Sequence, residues 1–271
     1  MPDKEKHLVI FEQKEIRRTW HKERWFFVVE DVIRALTDSV QPDGYIKDMR
    51  RRDPELAKGW GQIATPLSIK TAGGPQKLNS ADLAGIFRII QSIPSPKAEP
   101  FKLWLAQVGK ERIDEIKDPE LAVNRAKAIY ERKGYPRDWI DKRMRGIAVR
   151  NTLTDEWKNR GVKERSEFAI LTDEIYKGTF DLTAKEYKAV KSLDREGNLR
   201  DHMEDLELIL TMLGEATTTG LTRTRDSKDF PALKGDAHEG GEVSGRARLD
   251  IEKRMGKKVA SGRNFLPEPK L

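Results

Sequence analysis

The chain has 271 residues, 37% hydrophobic and 36% charged, and a formal net charge of +7 from 52 Lys and Arg against 45 Asp and Glu. It has no cysteine, which excludes a disulfide scaffold, an iron–sulfur protein, a thiolate zinc site and a cysteine nucleophile. It has no run of 18 apolar residues and its start, Met1 to His7, is polar, so neither a membrane span nor a secretory signal is expected and a cytoplasmic protein of about two domains is.

His7–Glu15 and Trp25–Glu30 (WFFVVE) read as strands, joined as a hairpin by a polar turn around Trp20–Arg24. Asp31 is placed to cap a helix over Val32–Thr37 with Val32, Ile33 and Leu36 inward. Gln41–Gly44 (QPDG) signals a turn before Tyr45–Arg52, which ends in Arg50, Arg51 and Arg52. Gly59–Gly61 and Lys70–Pro75 are turn-like, and Gln76–Asn79 reads as the return strand of a second hairpin. Ser80 is expected to cap a helix carrying Leu83, Ile86, Phe87 and Ile90 at helical spacing. Ser92–Pro100 holds three prolines and is read as a tight turn into a helix over Ala98–Ile116, with Phe101, Leu105, Val108 and Ile113 near one face and Trp104 beside them.

In this order the residues resemble the BRO family N-terminal domain, over roughly residues 8–115. The first motif is Trp25, Phe26, Val29, Asp31, Val32 and Leu36. The second is Asn79, Leu83, Ile90, Ser92, Pro96, Ala98, Phe101 and Trp104. Thr37–Asp38–Ser39 stands where the family often has a glycine. The resemblance implies a domain of the kind found in phage antirepressors and proteins of large DNA viruses.

The middle of the chain reads as helical: from Pro119 through Arg132, broken at Gly134 and Pro136, then Asp138–Asn159 with Ile140, Met144, Ile147 and Leu153. Further stripes are Phe168, Leu171, Ile175 and Tyr176, and Tyr187 with Val190 in Thr183–Ser192. Leu199, Met203, Leu206, Leu210 and Leu213 step by 4, 3, 4 and 3, a heptad-like seam that fits either packing within the chain or self-association. Ala216–His238, rich in Thr, Asp, Lys and Gly, reads as a flexible linker, and Gly240–Lys258 as a helix closed by Gly256. Four stretches, 118–133, 154–173, 198–215 and 240–258, resemble the C-terminal region of bacterial and prophage proteins of the DNA-damage-inducible protein D type. The expected fold class is α+β, with N-terminal β-hairpins and helices followed by an all-helical C-terminal region. The expected division is a DNA-binding domain at 1–115, a helical oligomerisation or effector region at 116–215, a linker at 216–240, and a C-terminal helix and tail at 241–271.

Four scattered histidines with no H-x₃-H pair argue against a metal, and no G-x-x-x-x-G-K-[ST] or G-x-S-x-G string occurs. Acidic clusters such as Asp114, Glu115 and Asp118 read as a solvated helix face rather than a nuclease centre. No catalytic residue, metal or cofactor is therefore expected. The basic excess is regional, net +3 in 1–115, +1 in 116–213 and +3 in 214–271. The candidate DNA contacts are Arg17, Arg18, Arg24, Lys47, Arg50, Arg51, Arg52, Lys70 and Lys77. Arginine and lysine on hairpins or a short helix grip phosphates, and arginine also reads guanine edges; the plain alternative is a solvated basic face. Trp20 and Trp60 fit core packing or partner contact better than base stacking. The two resemblances imply a non-enzymatic, DNA-binding, nucleoid-associated regulator of the prophage antirepressor class, linked to the DNA-damage response. Its expected partners are double-stranded DNA, a repressor or another DNA-transaction protein, and further copies of itself. The alternative is a protein–protein module, an antirepressor or recombinase-filament modulator, without DNA affinity.

Overall fold

The computed structural model describes residues 15–37, 39–71, 73–194 and 197–266, in two compact units that divide between Asp118 and Pro119. Four antiparallel strands interleaved with helices, and after them helices alone, make an α+β fold with a helical C-terminal half, as the sequence implied.

In the first unit, strands β1 (Arg18–His21) and β2 (Arg24–Val28) form a two-residue hairpin. Lys22 and Glu23 both take positive φ, 47° and 61°, the backbone that matches the twist of the flanking strands. The turn is thus shorter than expected, and Trp20, His21 and Arg24 are strand residues. The expected strand at His7–Glu15 lies outside the described residues except for Glu15, which is not in a strand.

β2 runs directly into α1 (Val29–Thr37), which buries Val32, Ile33 and Leu36. Asp31 is therefore inside the helix and does not cap it. Its buried carboxylate accepts from the Arg17 backbone N–H at 3.0 Å, Nε at 2.7 Å and Nη2 at 2.7 Å. Helix α2 (Pro42–Arg52) begins inside the expected QPDG turn, because proline suits the first turn of a helix. Helix α3 (Pro54–Ile63) takes up Gly59 and Gly61, also expected as turn. Strands β3 (Thr65–Thr71) and β4 (Gly74–Ala81) pair over seven positions and complete a sheet in the order β1-β2-β4-β3. Ser80 is a buried β4 residue; Asp82 instead caps α4 (Leu83–Gln91), accepting from Gly85 N–H at 3.0 Å. A short 3₁₀ turn at Pro96–Ala98 leads into α5 (Glu99–Lys117). Of its expected inward face only Phe101 is fully buried; Val108 and Ile113 are exposed. The core joins Phe27, Val32, Ile33, Leu36, Ile46, Met49, Leu56, Trp60, Ile86 and Ile90.

The second unit is all helical: α6 (Pro119–Arg132), α7 (Arg137–Asn159), α8 (Arg165–Phe180), α9 (Ala184–Val190), α10 (Asp205–Arg225) and α11 (Phe230–Met255). Helix α11 packs on α8 and α10 through glycines. A Cβ on Gly240 would stand 2.2 Å from Thr218 Oγ1, and one on Gly245 would stand 2.1 Å from the Gly178 carbonyl oxygen.

This packing corrects the flexible linker expected over 216–240, and the helix expected from Gly240 begins earlier, at Phe230. Thr218, Thr219 and Thr222 are buried in α10, and the hydroxyls of Thr218 and Thr219 donate to the carbonyls four residues back, at 2.8 and 3.0 Å. A threonine whose hydroxyl is satisfied in this way packs as a small apolar residue, so a polar composition builds a buried helix face. Gly256 does close α11, with φ 67°.

The expected 4-3-4-3 seam does not lie on one helix. Leu199 is in a 3₁₀ turn (Leu199–His202), Met203 is extended, and α10 starts only at Asp205, with Glu204 and Glu207 forming a capping box. Leu199, Met203 and Leu210 are buried in the unit's own core, Leu206 packs at its edge, and Leu213 is exposed. That core stacks Tyr135 on Trp139 at 4.1 Å, and Trp139 Nε1 donates to the Met203 carbonyl at 3.0 Å. A fully buried ion pair, Lys191 Nζ to Glu207 Oε2 at 2.9 Å, sits beside it, with the Tyr187 hydroxyl donating to the same Glu207.

Candidate nucleic-acid interface

The nine candidate cations of the first unit fall into three places. On α2, burial of Ile46 and Met49 against the core turns Lys47 and Arg51 outward, as helical spacing requires. Arg50 departs from that face: its guanidinium lies over the Trp60 ring at 5.0 Å, a cation–π contact that explains why Trp60 is a core residue with a polar rim. Arg51 pairs with Asp48 at 3.1 Å, and Arg52 donates to the Asp48 carbonyl at 3.3 Å. The arginine triplet also occupies the last turn of α2, where positive charge offsets the negative end of the helix dipole. Lys47 makes no ion pair among the described residues.

The β1–β2 hairpin holds the second group. Arg17, just before β1, spends its guanidinium on Asp31, and this hydrogen bond raises its pKa. Arg24 pairs with the α4 cap Asp82 at 2.7 Å, and the hydrogen bonds Asp82 receives from Gly85 N–H and Arg24 lower its pKa. Both residues therefore tie strands to helix N-termini. Arg18 lies over the Trp25 ring at 4.3 Å, and Trp25 meets Trp20 edge-on at 5.2 Å. Trp20 is 56% exposed, so the core-packing reading fails for it. The signal was present in the spacing: a two-residue turn sets Trp20 opposite Trp25.

The third place is the β3–β4 ribbon. Ser68 pairs with Lys77, Lys70 with Pro75, and Pro66 with Asn79. Strand alternation therefore puts Ser68, Lys70, Lys77 and Asn79 on one face, while Leu67 and Ile69 turn to the other. Lys70 and Lys77 are exposed and make no ion pair among the described residues. The register Phe27–Ala81 carries Arg18, Trp20 and Trp25 onto the same face of the sheet, but the two hairpin tips point in opposite directions. Trp25 and Lys77 are separated by about six strand positions, roughly 20 Å. The structure thus joins Lys70 with Lys77, and Lys47 with Arg51, and does not gather all nine cations into one patch.

Asp53 is a polar junction that the sequence reading missed. Oδ1 accepts from Leu56 N–H at 2.9 Å, and Oδ2 accepts from Arg88 Nη2 at 2.8 Å and Ser92 Oγ at 2.6 Å. These hydrogen bonds, that of Ser92 first, hold its carboxyl down at about 2. The latch ties the α2–α3 corner to the end of α4. Among the described residues, no cluster of three or more His, Asp or Glu side chains is placed to hold a metal, and no helix is long and apolar enough to cross a membrane.

Comparison with known protein families matches residues 15–110 to the BRO family N-terminal domain and residues 140–258 to the DinD C-terminal domain. No curated protein matches the chain. The strands, α1 to α4 and most of α5 fall within the first match, and α8 to α11 within the second. Both families are regulatory, of the prophage antirepressor and DNA-damage-inducible kind. The chain thus carries a region similar to the BRO family N-terminal domain, followed by one similar to the DinD C-terminal domain.

Proposed function

We propose that this protein is a non-enzymatic regulator that binds double-stranded DNA through its N-terminal domain and a protein partner through its C-terminal helices. The observation that carries the DNA reading is the β3–β4 ribbon. A two-stranded antiparallel ribbon fits the major groove. This one presents Lys70 and Lys77, both without an acidic partner among the described residues, beside Ser68 and Asn79, whose polar groups suit base edges. Lys47 on α2 and Arg18 at the other hairpin supply further phosphate contacts, and the exposed Trp20 an apolar one. Arg17 and Arg24 hold the domain together rather than meeting DNA. Counterion release then sets the salt dependence.

The test is fluorescence-anisotropy titration of the full chain against a labelled duplex across a salt series. Four cations on four phosphates give a log–log salt slope of about −3 to −4. Lys70→Glu with Lys77→Glu is expected to abolish binding, and Arg17→Gln to lower stability before affinity. Wild-type binding that is absent or insensitive to salt removes the DNA role.

A second reading, a protein–protein module of the antirepressor or recombinase-filament type, is favoured by a separate observation. Three of the nine candidate cations, Arg17, Arg24 and Arg51, are already matched by carboxylates. It predicts capture of a repressor or recombinase by the double lysine variant as efficiently as by wild type.

A further inference from the structure

Helix α10 is covered on three sides by α7, α8 and α11. Its fourth side presents Leu206, Ile209, Leu213, Thr217, Gly220 and Thr224, spaced three or four residues apart. Ile209 and Leu213 are 42% and 38% exposed. No charged residue falls on this stripe, in a chain with 36% charged residues. Such a face, about five turns long, is what a covered helix surface looks like.

The stripe is complementary to itself. Its large residues, Leu206, Ile209 and Leu213, occupy the first half, and its small ones, Thr217, Gly220 and Thr224, the second. Two copies related by a twofold axis near Glu215 run antiparallel. That sets Leu206 against Thr224, Leu213 against Thr217 and Ile209 beside Gly220, large over small at each step. Charge agrees with the same pairing. Asp205 flanks the stripe in the first turn of α10 and Arg223 in the last, whereas Glu207 is spent on Lys191 and Arg225 on Asp236 and Glu239. Antiparallel packing brings opposite ends, and opposite dipole poles, together. Asp205 accepts from Lys142 through Oδ2 at 2.8 Å, with its side chain 43% exposed. Arg223 engages Glu156 through Nε and is 56% exposed. Gly220 leaves room on this face for a side chain of the second copy. Glycine weakens a helix interior relative to alanine. Gly240 and Gly245 are required by contacts within the chain, but a Cβ on Gly220 meets nothing within 4 Å.

We infer that the uncharged face of α10 is an isologous interface with a second copy of this chain, antiparallel and centred near Glu215. It replaces the heptad-like seam, whose members Leu199, Met203 and Leu210 are consumed by the chain's own core.

Light scattering on the full chain after size exclusion tests this directly. Wild type is expected as a dimer. Ile209→Asp with Leu213→Asp is expected as a monomer with unchanged far-ultraviolet circular dichroism. Gly220→Leu keeps the test decisive should that double variant misfold, because it adds a side chain where the monomer has open space and the dimer has Ile209 of the second copy; it too is expected to be monomeric. Gly235→Leu, equally open but on α11, is expected to stay dimeric. The chain has no cysteine, so single thiols report orientation. Ala216→Cys, close to the twofold axis, is expected to give an oxidised covalent dimer. Leu206→Cys, about 27 Å from its symmetry mate, is not. A monomeric wild type, whatever else covers the stripe, overturns the inference. So does a dimer that survives Gly220→Leu, or cross-linking through Leu206→Cys as efficient as through Ala216→Cys.

Discussion

Asp53 ends one helix with its backbone N–H, and its carboxylate begins the next and grips a third. Its pKa, held near 2 by Ser92, Leu56 N–H and Arg88, lies below that of an unfolded chain, about 3.9. The latch therefore contributes its full stability above the unfolded value and loses it as pH falls through the folded one. Asp53→Asn is expected to melt at a lower temperature than wild type at pH 7, with the gap closing between about pH 4 and pH 2. Parallel thermal melts across pH check this, and a gap that stays constant over the range contradicts it. Which carboxylates do such work was only half legible in the sequence. Asp31 and Ser80 had the right chemistry for helix caps. Tertiary partners decided otherwise: Arg17 claimed Asp31 from fourteen residues away, and β4 absorbed Ser80, so that Asp82, beside Arg24, became the cap.

Among the elements, α11 shows why composition misled. Gly and Thr are rich in linkers, and 216–240 has both, yet here they form the closest helix contacts of the second unit. Helices of large apolar residues announce themselves by periodicity; helices that pack backbone to backbone do not, because their buried face is small rather than greasy. Gly235 and Gly240 stand on the same helix and give the cleanest comparison. Gly235→Ala meets open space and is expected to raise stability by up to about 1 kcal/mol. Gly240→Ala drives a Cβ toward the Thr218 hydroxyl and backbone, and is expected to lower stability by about 1–3 kcal/mol. Urea unfolding of the two variants against wild type decides; equal shifts would mean that the α10–α11 contact is looser than described. The second hairpin, by contrast, was legible as an element from its Gly73–Gly74 turn, and of the first only β2 was, since its partner strand β1 (Arg18–His21) runs into the stretch expected as turn. Their faces were not, because register depends on a two-residue turn at Lys22–Glu23 that no glycine or asparagine marks.

For the molecule as a whole, a net charge of +7 says little about DNA, since much of it is committed internally. What matters is where lysines are left without acids. Reversing Lys253 and Lys257, two exposed lysines in the last turn of α11 and just past it, changes the net charge by as much as reversing Lys70 and Lys77. If the ribbon is the interface, Lys253→Glu with Lys257→Glu leaves duplex affinity within about twofold of wild type at 150 mM salt, where charges beyond about 8 Å are screened. A loss equal to that of the ribbon variant, in the same anisotropy assay, would assign binding to total charge.

The buried Lys191 ammonium has a last implication. Beyond its bond to Glu207 it donates to the Arg263 carbonyl at 2.6 Å, while Asn264 returns a bond to the Lys191 carbonyl and the Phe265 ring lies 5.2 Å from Trp139. Residues 257–266 are therefore a stopper rather than a loose end. A protease cut or fusion junction placed there uncorks an ionic core, whereas the same operation at an exposed turn such as Lys22–Glu23 opens only a hairpin.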